Sequence, residues 1–159
     1  MTPKSLLRHP EATSDLEAFT EGTFQRVLAD NTADDDPGRI QRVLLCSGKV
    51  YYDLLERREE LGREDVAIVR LEQLYPFPSE PLRAALAHYA EDISLVWVQE
   101  EPRNMGAWPY LRWIAHTELF HRFDLTGITR ETSASPATGS SAAHKQEQQE
   151  LVDRAFGTG

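Results

Sequence analysis

The chain has 159 residues, 40% hydrophobic and 27% charged, which is the size and balance of one globular domain with its own core. Its formal net charge of -9 argues against a nucleic-acid or anionic-membrane surface, because gripping phosphates takes clustered cations. No apolar run nears the ~20 residues of a membrane span, no basic-then-apolar leader opens the sequence, and the one cysteine, Cys46, sits in an apolar run without a disulfide partner. A buried, inert thiol in a reducing cytoplasm is expected.

Residues 1–40 read as an irregular lead-in, a helix and an acidic loop, ahead of an α/β domain over residues 41–159. The opening "MTPKSLLRHP" mixes prolines and cations without a period. In "TSDLEAFTEGTFQRVL", Leu16, Phe19, Thr23 and Val27 share one helical face, and Ser14 with Glu17 three residues on makes a capping box. "ADNTADDDPGR" is polar and turn-rich, a surface loop whose acidic run at 34–36 is solvated.

The next unit sets the fold. "RVLLCSG" (42–48) is a short apolar run closed by Gly48, as a strand buried on both faces would be. "KVYYDLLERREELG" follows as a helix with Val50, Leu54 and Leu61 inward and Gly62 as its stop. "DVAIVRLE" is a second strand. "SEPLRAALAHYA" is a helix with Ser79 as cap, Pro81 in its first turn, and Leu82, Ala85, Leu86 and Tyr89 on one face. "DISLVWVQE" is a third strand. In "NMGAWPYLRWIAHTELF" a helix aligns Trp108, Leu111, Ala115 and Leu119, with Pro109 in its first turn or kinking it. "FDLTGITR" is a further strand and "SASPATGS" a loop. "SAAHKQEQQELVDRAFG" closes as a helix with Leu151, Val152, Ala155 and Phe156 inward. Strands alternating with helices mean βαβ units: a three-layer α/β domain with a mostly parallel sheet and helices on both faces.

Chemistry has few places to sit. Ser47 and Lys49 in "CSGK" stand where a strand hands over to a helix, a natural anion site, yet neither phosphate fingerprint is present and Ser47 and Gly48 serve equally well as cap and turn. No nucleophile elbow appears. The histidines at 9, 88, 116, 121 and 144 lack metal spacing, and His88 and His144 are read as satisfied packing residues. Glu100 and Glu101 end a strand in "VWVQEEPRNMGAW". Consecutive strand residues point to opposite faces, and a working dyad needs carboxyls ~5 to 9 Å apart facing each other. A local role is expected instead: capping the helix that starts near Asn104, or pairing with Arg103 or Arg112.

"TPKSLLRHP", "LLCSGKVYYDLLERR", "DVAIVRLEQLYPFP", "VWVQEEPRNMGAW" and "SASPATG....H" occur here in the order and spacing of a known family. Over Thr2 to Phe156 the chain resembles the C-terminal region of the thiamine-diphosphate-dependent first component of the 2-oxoglutarate dehydrogenase complex, a transketolase-like domain. The resemblance implies a structural and assembly domain of an oxidoreductase of the tricarboxylic acid cycle. In that enzyme thiamine diphosphate attacks the 2-keto carbon, carbon dioxide leaves, and succinyl passes to a lipoyl arm. It also implies that the thiamine and magnesium ligands and catalytic histidines lie upstream, so no such residue is carried onto this chain. An apolar strand runs directly into the first block in the family, so a fragment, split product or excised domain is expected. The family's Gly-Arg pair before "SASPATG" is replaced by threonine before Arg130, and "HTELFHRFDL" departs from the pattern.

The implied partners are the upstream thiamine-binding domains, a homodimer mate and the dihydrolipoyl succinyltransferase component. Glu100, Glu101, Arg103, Asn104 and Trp108 are then expected to form a charged, hydrogen-bonded corner at a domain junction, with Trp108 packed beneath. A second expectation is a regulatory module binding acetyl-coenzyme A or a nucleotide through Lys4, Arg8, Ser47 and Lys49. A third is a stand-alone α/β enzyme using Glu100, Glu101 or His144.

Overall fold

A computed structural model describes residues 3–33, 36–114 and 123–158. Its centre is a five-stranded sheet in the order β1-β3-β2-β4-β5. The strands are β1 (Val27–Leu28), β2 (Arg42–Cys46), β3 (Val66–Leu71), β4 (Ser94–Pro102) and β5 (Leu125–Arg130). All pairings are parallel except β1 on β3, which is antiparallel with Val27 opposite Leu71. The helices are α1 (Leu16–Thr20), α2 (Val50–Leu61), α3 (Ser79–Leu86), α4 (Trp108–Ile114) and α5 (Ser141–Phe156).

Period-two alternation in the buried strands sorts the core into two layers. Val43, Leu45, Ala67, Val69, Leu95 and Trp97 pack toward α3 and α4, with Leu82, Leu86, Trp108 and Leu111. Leu44, Cys46, Ile68, Val96 and Val98 pack toward α2 and α5, with Val50, Leu54, Leu151 and Phe156. This is the three-layer α/β arrangement that the alternating pattern implies.

Gly62, at φ 59°, ends α2 by donating to the carbonyls of Arg58 and Glu59. Ser140 caps α5, its hydroxyl accepting from the Ala143 N–H. Arg42 and Arg63 reach across from the sheet side to the carbonyls of Ala155 and Phe156, at 2.8 and 2.7 Å, where cations suit the negative end of the helix.

Several expectations need correction. The helix drawn through residues 13–28 stops after Thr20, so Leu16, Phe19, Thr23 and Val27 do not share a helical face. A Cβ at Gly22 would lie 2.3 Å from the Ala18 carbonyl oxygen, so the chain turns tightly there. Val27 and Leu28 instead pair with the open edge of β3. Asp15, not Ser14, is the N-cap residue of α1, and it makes no side-chain cap bond. The N-cap of α3 is Pro78, with Ser79 its first helical residue. His88 is exposed, stacked on Tyr89 at 4.1 Å, rather than packed inside. The positions of Ala115, His116, Leu119 and His121, and of residues 34–35 in the acidic run, lie outside the described residues.

Candidate functional site

In an open α/β sheet, ligands gather at the carboxyl ends of the strands where the chain switches direction. Here that point lies between β2 and β4, since β2 leads to β3 on one side and β4 leads to β5 on the other. The residues there are Ser47, Gly48 and Lys49 after β2, and Gln99, Glu100 and Glu101 at the end of β4.

Lys49 and Glu100 meet. The ammonium lies 2.7 Å from Glu100 Oε1 and 3.0 Å from Asp53 Oδ2, one helical turn along α2. Asp53 also accepts from Gln148 Nε2 of α5 at 2.7 Å. Gln148 accepts from Arg130 at 2.9 Å, and Arg130 also contacts His144 Nδ1 at 3.1 Å, Glu147 at 3.3 Å and Thr138 Oγ1 at 3.3 Å. One polar chain therefore ties the end of β4 to α2, α5, β5 and the "SASPATG" loop.

The electrostatics fix what this chain of groups can do. Burial pulls the Lys49 ammonium down, but the hydrogen bonds it donates to Glu100 and Asp53 and the pull of both carboxylates outweigh it, and the net shift is upward. Lys49 thus stays a cation at neutral pH and is not a free amine poised as base or nucleophile. Its charge is already matched by two carboxylates.

Glu100 and Glu101 do not act together. Glu100 turns to Lys49, whereas Glu101 is exposed. Neither caps α4, and Glu100 has found Lys49 rather than Arg103 or Arg112. The capping falls to Gln99, which the sequence reading passed over. Its Oε1 accepts from the Trp97 indole N–H at 2.9 Å and from the Trp108 backbone N–H at 2.8 Å. Its Nε2 donates to the carbonyls of Met105 at 2.7 Å and Pro102 at 3.2 Å. A polar residue inside the apolar run "LVWVQ" was the available signal, since a buried amide must find partners.

The rest of the corner is fastened through the Asn104 side chain and by a backbone bond. Asn104 clamps Ser133 both ways, donating to its carbonyl at 2.9 Å and accepting from its N–H at 3.2 Å. The Arg103 N–H donates to the Arg130 carbonyl at 3.0 Å. Trp108 is buried, its indole lying flush on Gly127, where a Cβ would come within 2.5 Å of the ring.

Lys4 and Arg8 lie on an exposed 3-10 turn (Lys4–Arg8). His9 holds that turn against Tyr52 in the first turn of α2, with ring centroids 4.8 Å apart. Beside the corner, a cleft of about 580 Å³ opens between the end of β5, the "SASPATG" loop and α5. Cys46 is free and fully buried, its thiol pushed up to about 12 mainly by burial. Among the described residues no group of three or more His, Cys, Asp or Glu side chains could hold a metal ion. Among the described residues no helix is long and apolar enough to cross a membrane.

Residues 13–156 match the family model described as 2-oxoglutarate dehydrogenase C-terminal. The chain is 47% identical to the 2-oxoglutarate dehydrogenase E1 component of Azotobacter vinelandii, over 98% of this chain and 17% of that protein. It is 46% identical to the E1 component of Haemophilus influenzae, over 98% of this chain and 17% of that protein. It is 46% identical to the multifunctional 2-oxoglutarate metabolism enzyme of Mycolicibacterium vanbaalenii, over 98% of this chain and 13% of that protein. The chain spans only this small share of its relatives' length, and it belongs to the family of 2-oxoglutarate dehydrogenase C-terminal domains.

Proposed function

We propose that this chain is the structural and assembly domain of a 2-oxoglutarate dehydrogenase E1 component, holding the parts that carry thiamine diphosphate rather than doing chemistry itself. The observation that carries the reading is the switch point. Where an α/β enzyme keeps its reactive groups, this domain keeps Lys49, Glu100, Asp53, Gln148 and Arg130 bonded to one another. Such a network fixes one arrangement of neighbouring elements more than it adds stability.

The parent reaction would be decarboxylation of 2-oxoglutarate followed by succinyl transfer to a lipoyl group, within the tricarboxylic acid cycle in the cytoplasm. Its partners would be the upstream thiamine-binding domains, the homodimer mate and the dihydrolipoyl succinyltransferase component. Deleting the region equivalent to residues 13–156 from the Azotobacter vinelandii E1 component should abolish 2-oxoglutarate-dependent release of carbon dioxide. Supplying this chain in trans should restore part of it. Full activity without the region would refute the reading.

A second reading is an anion site for acetyl-coenzyme A or a nucleotide that draws on Ser47, Lys49, Lys4 and Arg8. It is supported by the position of Ser47 and Lys49 at the switch point and by the His9–Tyr52 contact, which draws the basic turn toward α2. The ligand would have to compete with Glu100 and Asp53 for Lys49. A saturable thermal shift with acetyl-coenzyme A or AMP is the expected outcome, and no shift at millimolar ligand removes this reading.

A further inference from the structure

Every residue from Thr13 to Arg26 is exposed, although the segment contains α1 and is held at both ends. On one side His9 stacks on Tyr52, and on the other Val27 and Leu28 pair with β3. Between these tethers three large apolar side chains face solvent: Leu16 at 78%, Phe19 at 76% and Phe24 at 70% exposure. A five-residue helix cannot sustain itself in water, because nucleation costs more than so few hydrogen bonds return. A segment that orders such side chains without burying them lacks the term that normally offsets its lost entropy.

Charge narrows what covers it. Residues 13–26 carry three carboxylates, Asp15, Glu17 and Glu21, against one cation at the end, Arg26. The segment therefore presents exposed apolar side chains among carboxylates. A second copy of this chain is a poor fit, since it brings the same carboxylates and a net charge of -9, and like charges brought together oppose association. The complementary surface is an apolar groove rimmed with lysine and arginine. The relatives carry more than four-fifths of their length outside the region this chain matches, because it covers 17% of the Azotobacter vinelandii protein, and a large protein surface is available there.

We propose that residues 13–26 are a docking strap that lays Leu16, Phe19 and Phe24 into a basic-rimmed apolar groove on the upstream part of the E1 polypeptide. This rests on the assembly reading above and names the surface through which assembly occurs. Phe19 and Phe24 are the anchors and the three carboxylates Asp15, Glu17 and Glu21 steer the approach. The strap contributes little to the stability of the domain itself, since its side chains bury little within it.

The test is a titration of the fluorescently labelled chain with the upstream part of the E1 polypeptide, produced without its C-terminal region. The double variant Phe19→Ser/Phe24→Ser should weaken binding roughly tenfold or more, while its thermal midpoint stays that of the unaltered chain. Glu17→Lys/Glu21→Lys should weaken binding too, and raised salt should weaken the unaltered chain more than this variant. Unchanged binding by Phe19→Ser/Phe24→Ser would overturn the strap and leave the assembly reading standing. Absence of binding by the unaltered chain would overturn both. A dimer of the chain alone that the double serine variant abolishes would assign the strap to a second copy and overturn the proposal as stated.

Discussion

Replacing Gln99 by leucine keeps a similar volume but strands the Trp97 indole N–H, the Trp108 N–H and the Met105 carbonyl in a buried corner. Each unsatisfied buried group costs about 1–3 kcal/mol, so the variant should lose about 3 kcal/mol in a urea titration. Exposed Glu101 next door supplies the contrast, and Glu101→Gln should stay within about 0.5 kcal/mol. Cys46 tests burial on the same scale. Its thiol is raised from 9.0 to about 12, so the stability it contributes is complete below pH 9.0 and is lost as pH rises through about 12. At pH 8 a thiol reagent should leave the native chain unlabelled and label it fully in denaturant; rapid native labelling would contradict the buried thiol.

At the scale of elements, most of the fold could be read from period and punctuation. β2, β3 and β4 are apolar runs buried on both faces, and α2 and α5 end where Gly62 and Gly157 adopt positive φ. The strand β1 could not be read this way. Two residues, Val27 and Leu28, are too few to show a period, and their structure comes from an edge of β3 supplied by distant sequence. Asp30 has the same origin: its carboxylate pairs with Arg58 and accepts from the Ile68 N–H just past the end of β1. The polar corner was half legible. Trp108 and Asn104 stand out in "PRNMGAW", but the partner of Glu100 sits on another element, at Lys49, which adjacency alone cannot show. Packing of β5 on α4 gives this scale its own prediction. Gly127→Ala places a methyl carbon 2.5 Å from Trp108 Cε2, and overpacking of that kind should cost about 1–3 kcal/mol in thermal or urea unfolding.

The whole molecule combines a closed, hydrogen-bonded interior face with exposed apolar side chains at its margins. Trp113 at 67% and Tyr75 at 83% exposure add to those of the 13–26 segment, more than an isolated domain has use for. The domain's likeness to small stretches of much longer relatives gives the same picture, since it covers 17% of the Azotobacter vinelandii E1 component and 13% of the Mycolicibacterium vanbaalenii enzyme. Exposed apolar side chains of this kind are what the proposed assembly role would cover. Within the domain Glu100 is paired with Lys49, His144 contacts Arg130, and Glu101 is exposed.

The most direct test is the release of carbon dioxide from 2-oxoglutarate by the isolated chain, with thiamine diphosphate and magnesium supplied. Release at the uncatalysed background is expected, the same for the unaltered chain and for Glu100→Gln and His144→Ala. Turnover above background that falls with either substitution would make the carboxyl-end corner an active site and contradict the assembly role.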